Sequence, residues 1–399
     1  MSKIEAYKEE YDAYLKEIRE GQEKGLVMFA PVFETNQNAV TKYKGKDTII
    51  LSSNNYLGLA DHDEVLKSMK DAIDKYGASV CGSRMNNGTT DLHKRLERKI
   101  AEFFNTEDAL ICNSGYMANL VGISGSTRDY DSIFISDSLN HASINDGIKL
   151  SNGKKKIFTH NNMEKLEYIL EKNSECKKKM IIVDGVYSMN GDMAQLDKIV
   201  KLAEKYDAML MVDEAHGIGV FGENGRGASE YFNVEDKVQI KMGTFSKSLG
   251  NIGGCIAASK DICEYMRFMA NQYLFTVSLS PASVAGTLKA FEIMEKEIWR
   301  KDKLWENTKL FNKLAREIGF NVNYSESPII PITIGDVVTT LRFTDELLNR
   351  GVYVCSAVFP VVPKDKSIIR ITMSSNLNKD EIERALGIME KTAKEFNIL

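Results

Sequence analysis

A series of short apolar runs, separated by stretches long enough for a helix, most constrains the fold of this chain. The runs lie at residues 109–112, 133–136, 180–184, 209–213, 238–242 and 254–258. Continuous apolar runs at crossover spacing are typical of strands that helices cover on both faces. The sequence therefore predicts an α/β fold with a mostly parallel central sheet.

Polar side chains follow several of these runs at the point where a strand would end. Asp213 closes one run, and His216 comes shortly after it. Ser188 follows another run, and Thr244 and Lys247 follow a third. Because ligands bind at the carboxyl ends of the strands in such a sheet, these five side chains are expected to converge on one crevice.

Lys247 and Asp213 are the most informative pair in the chain. Lys247 lies in a segment rich in small residues, 243–250, and comes 34 residues after Asp213. A lysine amine at a strand exit can hold an aldehyde cofactor as a Schiff base, and a carboxylate at another strand exit can keep the cofactor's ring nitrogen protonated. Taken alone, each residue also fits a surface lysine or a helix N-cap. Together they indicate catalysis with pyridoxal 5′-phosphate (PLP).

Two further segments follow predicted strands. Residues 113–119 could begin a helix that directs the backbone N–H groups of Gly115 and Tyr116 at a phosphate, although a plain N-capped helix fits equally well. His141 follows another strand region, and an imidazole can stack on a pyridine ring. Both segments are candidates for the same PLP site.

Two apparent nucleotide-binding motifs lack the context that such motifs need. Residues 217–222 match the dinucleotide-binding pattern GxGxxG, but they run into a turn-rich stretch where that fold requires a helix. Residues 243–248 resemble a phosphate-binding P-loop, but the residue before the lysine is Ser246 instead of glycine. Neither segment is therefore predicted to bind a nucleotide.

Charge and cysteine content argue against several classes of function. With 52 basic and 56 acidic side chains, the formal net charge is -4, and no long cationic block favours nucleic acid or a membrane surface. The six cysteines form no CxxC pair or metal-type cluster, so we expect free thiols and no metal site.

The N-terminus has the spacing of an amphipathic helix, not of a signal peptide, and the apolar stretch 26–33 is too short to span a bilayer. A cytoplasmic location is predicted.

The pattern changes after about residue 290, where strand-like and helical segments no longer alternate at crossover spacing. Strand-like segments occur at 329–334, 353–355 and 368–373. We predict an N-terminal helix and arm over 1–50, a large PLP-binding domain over 51–290 and a smaller C-terminal α+β domain over 291–399.

Taken in order, these motifs resemble the α-oxoamine synthase family of fold-type-I PLP enzymes. The matching segments are 53–59, 82–84 with 88–89, 114–116, 139–144, 184–189, 212–216, 225–227, 244–247, 273–276 and 369–371. They span roughly residues 50 to 375 in the family's order, which makes a chance resemblance very rare.

The resemblance implies roles for the residues around the cofactor ring. Lys247 would carry PLP covalently and later move the Cα proton of the amino acid. Asp213 would pair with the protonated ring nitrogen, and His141 would stack on the ring and assist proton transfer. His216 and Ser188 would hydrogen-bond the phenolic oxygen of the cofactor.

The resemblance also implies how phosphate and substrate are bound. Phosphate would be held by Gly115, Tyr116 and Thr244. Thr276 would add a hydroxyl from a partner subunit, so the active site would be shared across a homodimer. Arg370, helped by Asn54, would bind the carboxylate of the amino acid, a task that suits a guanidinium fork.

Members of this family condense a small amino acid with an acyl-CoA, releasing CoA and, in most members, CO2. The segments 82–89, 185–192, 213–216 and 244–249 look most like bacterial serine palmitoyltransferases of sphingolipid biosynthesis. The segments 54–60 and 359–364 are closer to 2-amino-3-ketobutyrate CoA ligase, which joins glycine to acetyl-CoA. The biotin-pathway 8-amino-7-oxononanoate synthase, which uses alanine and a pimeloyl thioester, is a third alternative.

Two alternatives lie outside this activity. The family includes non-catalytic partner subunits that have lost the cofactor lysine, but Lys247, Asp213, His141 and Arg370 are all present here. An aminotransferase would use the same cofactor and would differ in transferring the amino group to a 2-oxo acid.

Overall fold

The computed structural model describes residues 3–23, 31–359, 361–363 and 365–399. The helices are α1 (Lys3–Glu23), α2 (Asp63–Tyr76), α3 (Asp91–Phe103), α4 (Gly115–Ser124), α5 (Ala142–Leu150), α6 (Met163–Lys172), α7 (Leu196–Lys205), α8 (Ala228–Tyr231), α9 (Lys260–Met269), α10 (Asn271–Leu274), α11 (Pro281–Lys296), α12 (Trp299–Ile318), α13 (Val337–Asn349) and α14 (Lys379–Glu395). The strands are β1 (Val40–Tyr43), β2 (Lys46–Ile50), β3 (Asp108–Cys112), β4 (Ile133–Asp137), β5 (Lys154–Phe158), β6 (Lys179–Asp184), β7 (Met209–Asp213), β8 (Ile240–Thr244), β9 (Gly254–Ala258), β10 (Ile329–Gly335), β11 (Val352–Tyr353), β12 (Cys355–Ala357) and β13 (Ser367–Thr372).

The central sheet has seven strands in the order β3-β9-β8-β7-β6-β4-β5. Strands β8, β7, β6, β4 and β5 pair in parallel, and β9 runs antiparallel to both β8 and β3. The predicted α/β fold with a mostly parallel sheet is confirmed. Strand β5 was not predicted, because its sequence contains three lysines and lies at the sheet edge, where charged side chains are common.

Two hydrophobic cores lie on opposite faces of this sheet. Along β6, Ile181 and Val183 join one buried cluster, whereas Met180 and Ile182 join the other. Successive side chains of a strand point to opposite faces, so this alternation shows that apolar material covers both sides. The strand ends are therefore the part of the sheet that remains open to a ligand.

The C-terminal region forms an antiparallel sheet in the order β10-β13-β12. A third sheet joins β1 and β2 to β11, which pairs with β2 in parallel. Residues 40–50 of the predicted arm thus form a sheet with part of the C-terminal region. The domain boundaries at 50 and 290 stay a prediction.

The N-terminal helix predicted from the apolar spacing corresponds to α1. Residues 26–30 of the apolar stretch lie outside the described residues, as do Pro360 and Lys364 of the 359–364 segment. Among the described helices, none combines the length and apolar content that a membrane crossing needs. The six cysteines are free thiols.

Candidate active site

The ends of three neighbouring strands form one wall of a cavity of about 280 Å³. Asp184 at the end of β6 pairs in register with Asp213 at the end of β7, and β8 ends at Thr244, just before the turn that carries Lys247. The predicted residues that line this cavity are Lys247, Asp213, His216, His141, Ser188, Gly115, Tyr116 and Thr244. The cavity therefore lies at the carboxyl ends of the strands, where the polar side chains that follow them were expected to converge.

Lys247 points its amine into an environment that favours the uncharged form. Burial lowers the pKa of Lys247 to about 8, the carboxylate of Asp213 opposes this shift, and Arg370 adds to it. Near neutral pH a much larger fraction of this amine is therefore neutral than of an ordinary lysine, although most of it stays protonated. A neutral lysine amine is the form that attacks an aldehyde carbon.

A hydrogen-bonded chain connects Asp213 to His141. The amide nitrogen of Asn119 donates to Asp213 Oδ2 at 2.7 Å and to Ser143 Oγ at 2.8 Å. Ser143 Oγ lies 2.7 Å from His141 Nδ1, which also accepts from the backbone N–H of Ser143 at 3.3 Å. Because Nδ1 acts as an acceptor, His141 is neutral, in line with burial lowering its pKa.

The other cavity histidine, His216, is paired with Tyr56. Tyr56 Oη lies 2.7 Å from His216 Nδ1, and both side chains are buried. Burial lowers the pKa of His216 well below its usual value, with Lys247 and Arg370 contributing, and burial raises the pKa of Tyr56 to about 12. This pair is therefore neutral and can donate or accept hydrogen bonds.

A second carboxyl group, Asp184, lies beside Asp213. Burial raises the pKa of Asp184 well above its usual value, and the neighbouring Asp213 adds to this rise. The backbone N–H of His141 donates to Asp184 Oδ2 at 3.2 Å. Two adjacent buried carboxylates repel each other, so protonation of Asp184 relieves the repulsion.

The start of α4 forms one end of the cavity. Ser114 caps the helix by accepting a hydrogen bond from Met117 N at 3.1 Å, which leaves the first backbone N–H groups near the cavity. A side chain at Gly115 would lie 2.7 Å from Thr244 Oγ1, so only glycine fits there. Backbone N–H groups and the helix dipole favour an anion at this end.

Arg370 and Asn54 lie outside the cavity lining and reach it through Ser188. Arg370 Nε donates to the carbonyl oxygen of Ser188 at 2.5 Å, and Nη1 donates to Thr372 Oγ1 at 2.9 Å. Asn54 Oδ1 accepts from Arg370 Nη2 at 3.4 Å. Thr276 does not line the cavity of its own chain and lies 3.5 Å from Asn113 Nδ2.

The glycine-rich segment after Asp213 surrounds the carboxylate of Glu214. Glu214 accepts from Ala228 N at 2.7 Å, and a side chain at Gly217 or Gly227 would lie 2.2 Å from Glu214 Oε2. Residues 217–222 form turns and a bridge and not a helix. These glycines therefore make room for a buried carboxylate, as expected for a segment that is not a dinucleotide site.

The residues that line the cavity include a suitable partner for each of three chemical groups of PLP. An amine of lowered pKa at Lys247, a carboxylate at Asp213 and an anion site at the start of α4 suit the aldehyde, the ring nitrogen and the phosphate of that cofactor. The roles of Tyr56, Asn119 and Ser143 were not predicted from the sequence. The signal for Asn119 was a lone amide on the apolar face of α4, but its partners could not be inferred from the sequence.

Comparisons with known proteins are consistent with this geometry. Residues 46–388 match the model of the aminotransferase class I and II family. The chain is 44% identical over 366 residues to 8-amino-7-oxononanoate synthase of Bacillus pumilus, covering 92% of this chain and 93% of the relative. It is 42% identical to 8-amino-7-oxononanoate synthase 1 of Bacillus subtilis, with the same coverage. A solved serine palmitoyltransferase with its PLP superposes with a TM-score of 0.94 at 31% identity, covering 98% of this chain and 99% of that one.

Proposed function

The chain belongs to the aminotransferase class I and II family and, within it, to the PLP-dependent α-oxoamine synthases, and from this premise we propose that it is an 8-amino-7-oxononanoate synthase. It is an acyltransferase that joins an amino acid to an acyl thioester. The proposed substrates are L-alanine and a pimeloyl thioester. The main observation that supports PLP-dependent catalysis is that Lys247 and Asp213 line the same cavity.

The choice among substrates is supported by the relatives. Two relatives that share this name are 42% and 44% identical over most of the chain, whereas the serine palmitoyltransferase is 31% identical. The serine palmitoyltransferase-type function and the sphingolipid pathway, predicted from the central motifs, are therefore replaced by the third alternative. The fold similarity to serine palmitoyltransferase reflects the shared family.

The chain's own residues would hold the cofactor and move one proton. Lys247 would hold PLP covalently, Asp213 would pair with its ring nitrogen, and Gly115, Tyr116 and Thr244 would bind its phosphate. When bound, PLP supplies an electron sink that acidifies the Cα proton of the amino acid. Lys247, once the amino group of the substrate has replaced it in the bond to the cofactor, would take that proton, because its lowered pKa suits a base near neutral pH. His141, held neutral by Ser143, would stack on the ring.

Substrate binding is assigned to Arg370 with Asn54, and a dimer is proposed from Thr276. The Arg370 guanidinium would bind the carboxylate of the amino acid through paired, charge-assisted hydrogen bonds. Thr276 would contact the phosphate bound by a second copy of the chain, in an isologous pair. Light scattering should then give about twice the 44.8 kDa mass of the chain. A fully active monomer would contradict this role of Thr276.

Substrate titration tests the proposed function. The holoenzyme would be titrated with glycine, L-alanine and L-serine while the visible spectrum of the bound cofactor is recorded. With the preferred amino acid, acetyl-, pimeloyl- and palmitoyl-CoA would then be compared by release of free thiol. A small apolar pocket discriminates between similar side chains by roughly 10- to 200-fold, so we expect a measurable preference for alanine.

Each of the other outcomes would indicate a different function. A preference for serine with palmitoyl-CoA would restore the serine palmitoyltransferase function, and glycine with acetyl-CoA would indicate the ketobutyrate ligase. Amino transfer to a 2-oxo acid without thiol release would indicate an aminotransferase. Failure to bind PLP would indicate a non-catalytic subunit.

A further inference from the structure

A charged histidine cluster lies next to the active site but outside the cavity. His160 follows β5, and its Nδ1 lies 3.0 Å from Asp137 Oδ1 while its Nε2 lies 2.6 Å from Asp192 Oδ2. The side chain of Asp137 is fully buried at the end of β4, and that of Asp192 is mostly buried. A carboxylate only accepts hydrogen bonds, so a ring with a carboxylate at each nitrogen carries both protons and is a cation.

His160 holds one end of a tight turn that follows β6. Within residues 187–192, Tyr187 N donates to Asp192 O at 2.9 Å and Gly191 N donates to Tyr187 O at 2.8 Å. The ring of Tyr187 packs edge-on against His160, with the centroids 4.4 Å apart. Through Asp192, His160 therefore helps to fix this end of the turn.

This turn carries the carbonyl group that orients Arg370. Ser188 is the second residue of the turn, and its carbonyl oxygen accepts from Arg370 Nε at 2.5 Å. The contact from Arg370 Nη2 to Asn54 is longer, at 3.4 Å. The direction of the guanidinium group thus depends on the Ser188 carbonyl more than on Asn54.

We propose that His160 is a positioning residue for amino-acid binding: as a cation between Asp137 and Asp192, it fixes the turn whose Ser188 carbonyl aims Arg370 at the substrate carboxylate. This inference rests on the carboxylate-binding role of Arg370 in the proposed function. His160 is not among the residues that line the cavity, so its effect would reach the reaction through Arg370.

The charges around His160 determine the pH range of this effect. Burial alone would lower the pKa of His160, but hydrogen bonds to Asp137 and Asp192 outweigh it and raise the pKa to about 9. Tyr187 also faces the ring, and burial raises its pKa well above the usual value, so it stays neutral. From the C-terminal region, Tyr324 lies within electrostatic range of Asp192, and Glu326 Oε2 accepts from Met193 N at 3.0 Å. His160 is therefore charged below about pH 9 and loses its charge above it.

The test compares the affinity of the holoenzyme for L-alanine in four proteins: the wild type, His160→Gln, Arg370→Ala and the double variant. Affinity would be measured from the visible spectrum between pH 7 and 10, and kcat and KM would be measured with pimeloyl-CoA. His62→Gln is the matched control, because the His62 ring only accepts a hydrogen bond from Glu64 N at the start of α2.

At pH 7.5 we expect His160→Gln to weaken alanine binding about 10-fold, since a hydrogen-bonded charge is lost. KM for alanine should rise by the same factor, while PLP content and kcat change little. Above pH 9 the wild type should lose its tighter binding of alanine, so that the wild type and His160→Gln have similar affinities for alanine by pH 10. In the Arg370→Ala background, His160→Gln should have no further effect, because the two residues act through one contact.

Several outcomes would overturn the inference. It fails if His160→Gln binds alanine as the wild type does, or if its effect is unchanged in the Arg370→Ala background. If His160→Gln does not fold, Asp192→Asn replaces it with the same expectations. If the wild type binds glycine or serine instead of alanine, the proposed substrate is wrong, but the same comparison with that amino acid still tests His160, because all three share the carboxylate.

Discussion

The cavity and the neighbouring His160 cluster both combine histidines with aspartates, but their histidines have different charge states. In the cavity, His216 is buried and His141 is partly exposed, and the pKa values of both are lowered, mainly by loss of hydration. In the cluster, two carboxylates raise the pKa of His160 to about 9. The difference shows that burial and the nearest charges, and not the residue type, decide whether a histidine here is a neutral hydrogen-bonding group or a fixed cation.

The sheet itself explains why the two regions are so close. The neighbouring strands β4, β6 and β7 each end in an aspartate: Asp137, Asp184 and Asp213. Asp184 and Asp213 face the lysine turn, whereas Asp137 faces His160. A carboxyl group at a strand end therefore lines the cavity beside Lys247 in two cases and stabilises a charged histidine in the third.

The largest expected effect comes from removing the amine of the cavity. Lys247→Ala should lower the rate of thiol release by at least about a thousandfold, because the nucleophile and the base are lost together. The purified variant should also lack a visible cofactor band that borohydride abolishes. Lys309→Ala, on the exposed side of α12, serves as the control. A reducible band in Lys247→Ala would show that another lysine holds the cofactor.

The next largest effect concerns Arg370, which lies between the cavity and the His160 cluster. Arg370→Ala should weaken amino-acid binding by about 100-fold, since a bidentate charge-assisted contact is lost. The cofactor band should stay intact, because Arg370 is proposed to meet the substrate and not PLP. Spectral titration measures both quantities, with Arg342→Ala on α13 as the control. Loss of PLP from Arg370→Ala would contradict this separation.

A smaller effect should appear in the pH dependence of cofactor loading. Only the neutral amine of Lys247 reacts with an aldehyde, and its pKa is lowered to about 8. The rate at which PLP enters the protein stripped of cofactor should therefore rise with pH and level off above about pH 8. Rapid-mixing absorbance measures this rate. A rate independent of pH between 6.5 and 8 would mean that the amine is not the titrating group.

The smallest effect is on stability, and it belongs to the His160 cluster. The folded-state pKa of His160 lies above its ordinary value, so its contribution to the free energy of unfolding is complete below about pH 6.5 and is lost as pH rises through about 9. We expect a contribution on the order of 1–3 kcal/mol. Denaturant unfolding of the wild type and His160→Gln at several pH values measures it. The difference should shrink if Asp192→Asn is introduced into both proteins, and a difference that grows with pH would contradict the assignment.

The fold and the cavity could be predicted because both depend on local patterns. Apolar runs at crossover spacing predicted six strands of the central sheet, and polar residues after those runs predicted the cavity lining. Strand β5 was missed because an edge strand need not be apolar. Tyr56, Asn119 and Ser143 were missed because a buried polar residue is informative only once its partner is known.

The sequence by itself determined where six strands of the central sheet lie, the chemistry available at their ends and the family resemblance that points to PLP. Only the tertiary structure decided the protonation states. His216 is 31 residues from Lys247 in the chain, and His160 is 23 residues from Asp137, yet each pair interacts closely enough to change a pKa. Burial and Coulomb energy depend on distances in space, so a charge state follows from the fold and not from the order of the residues.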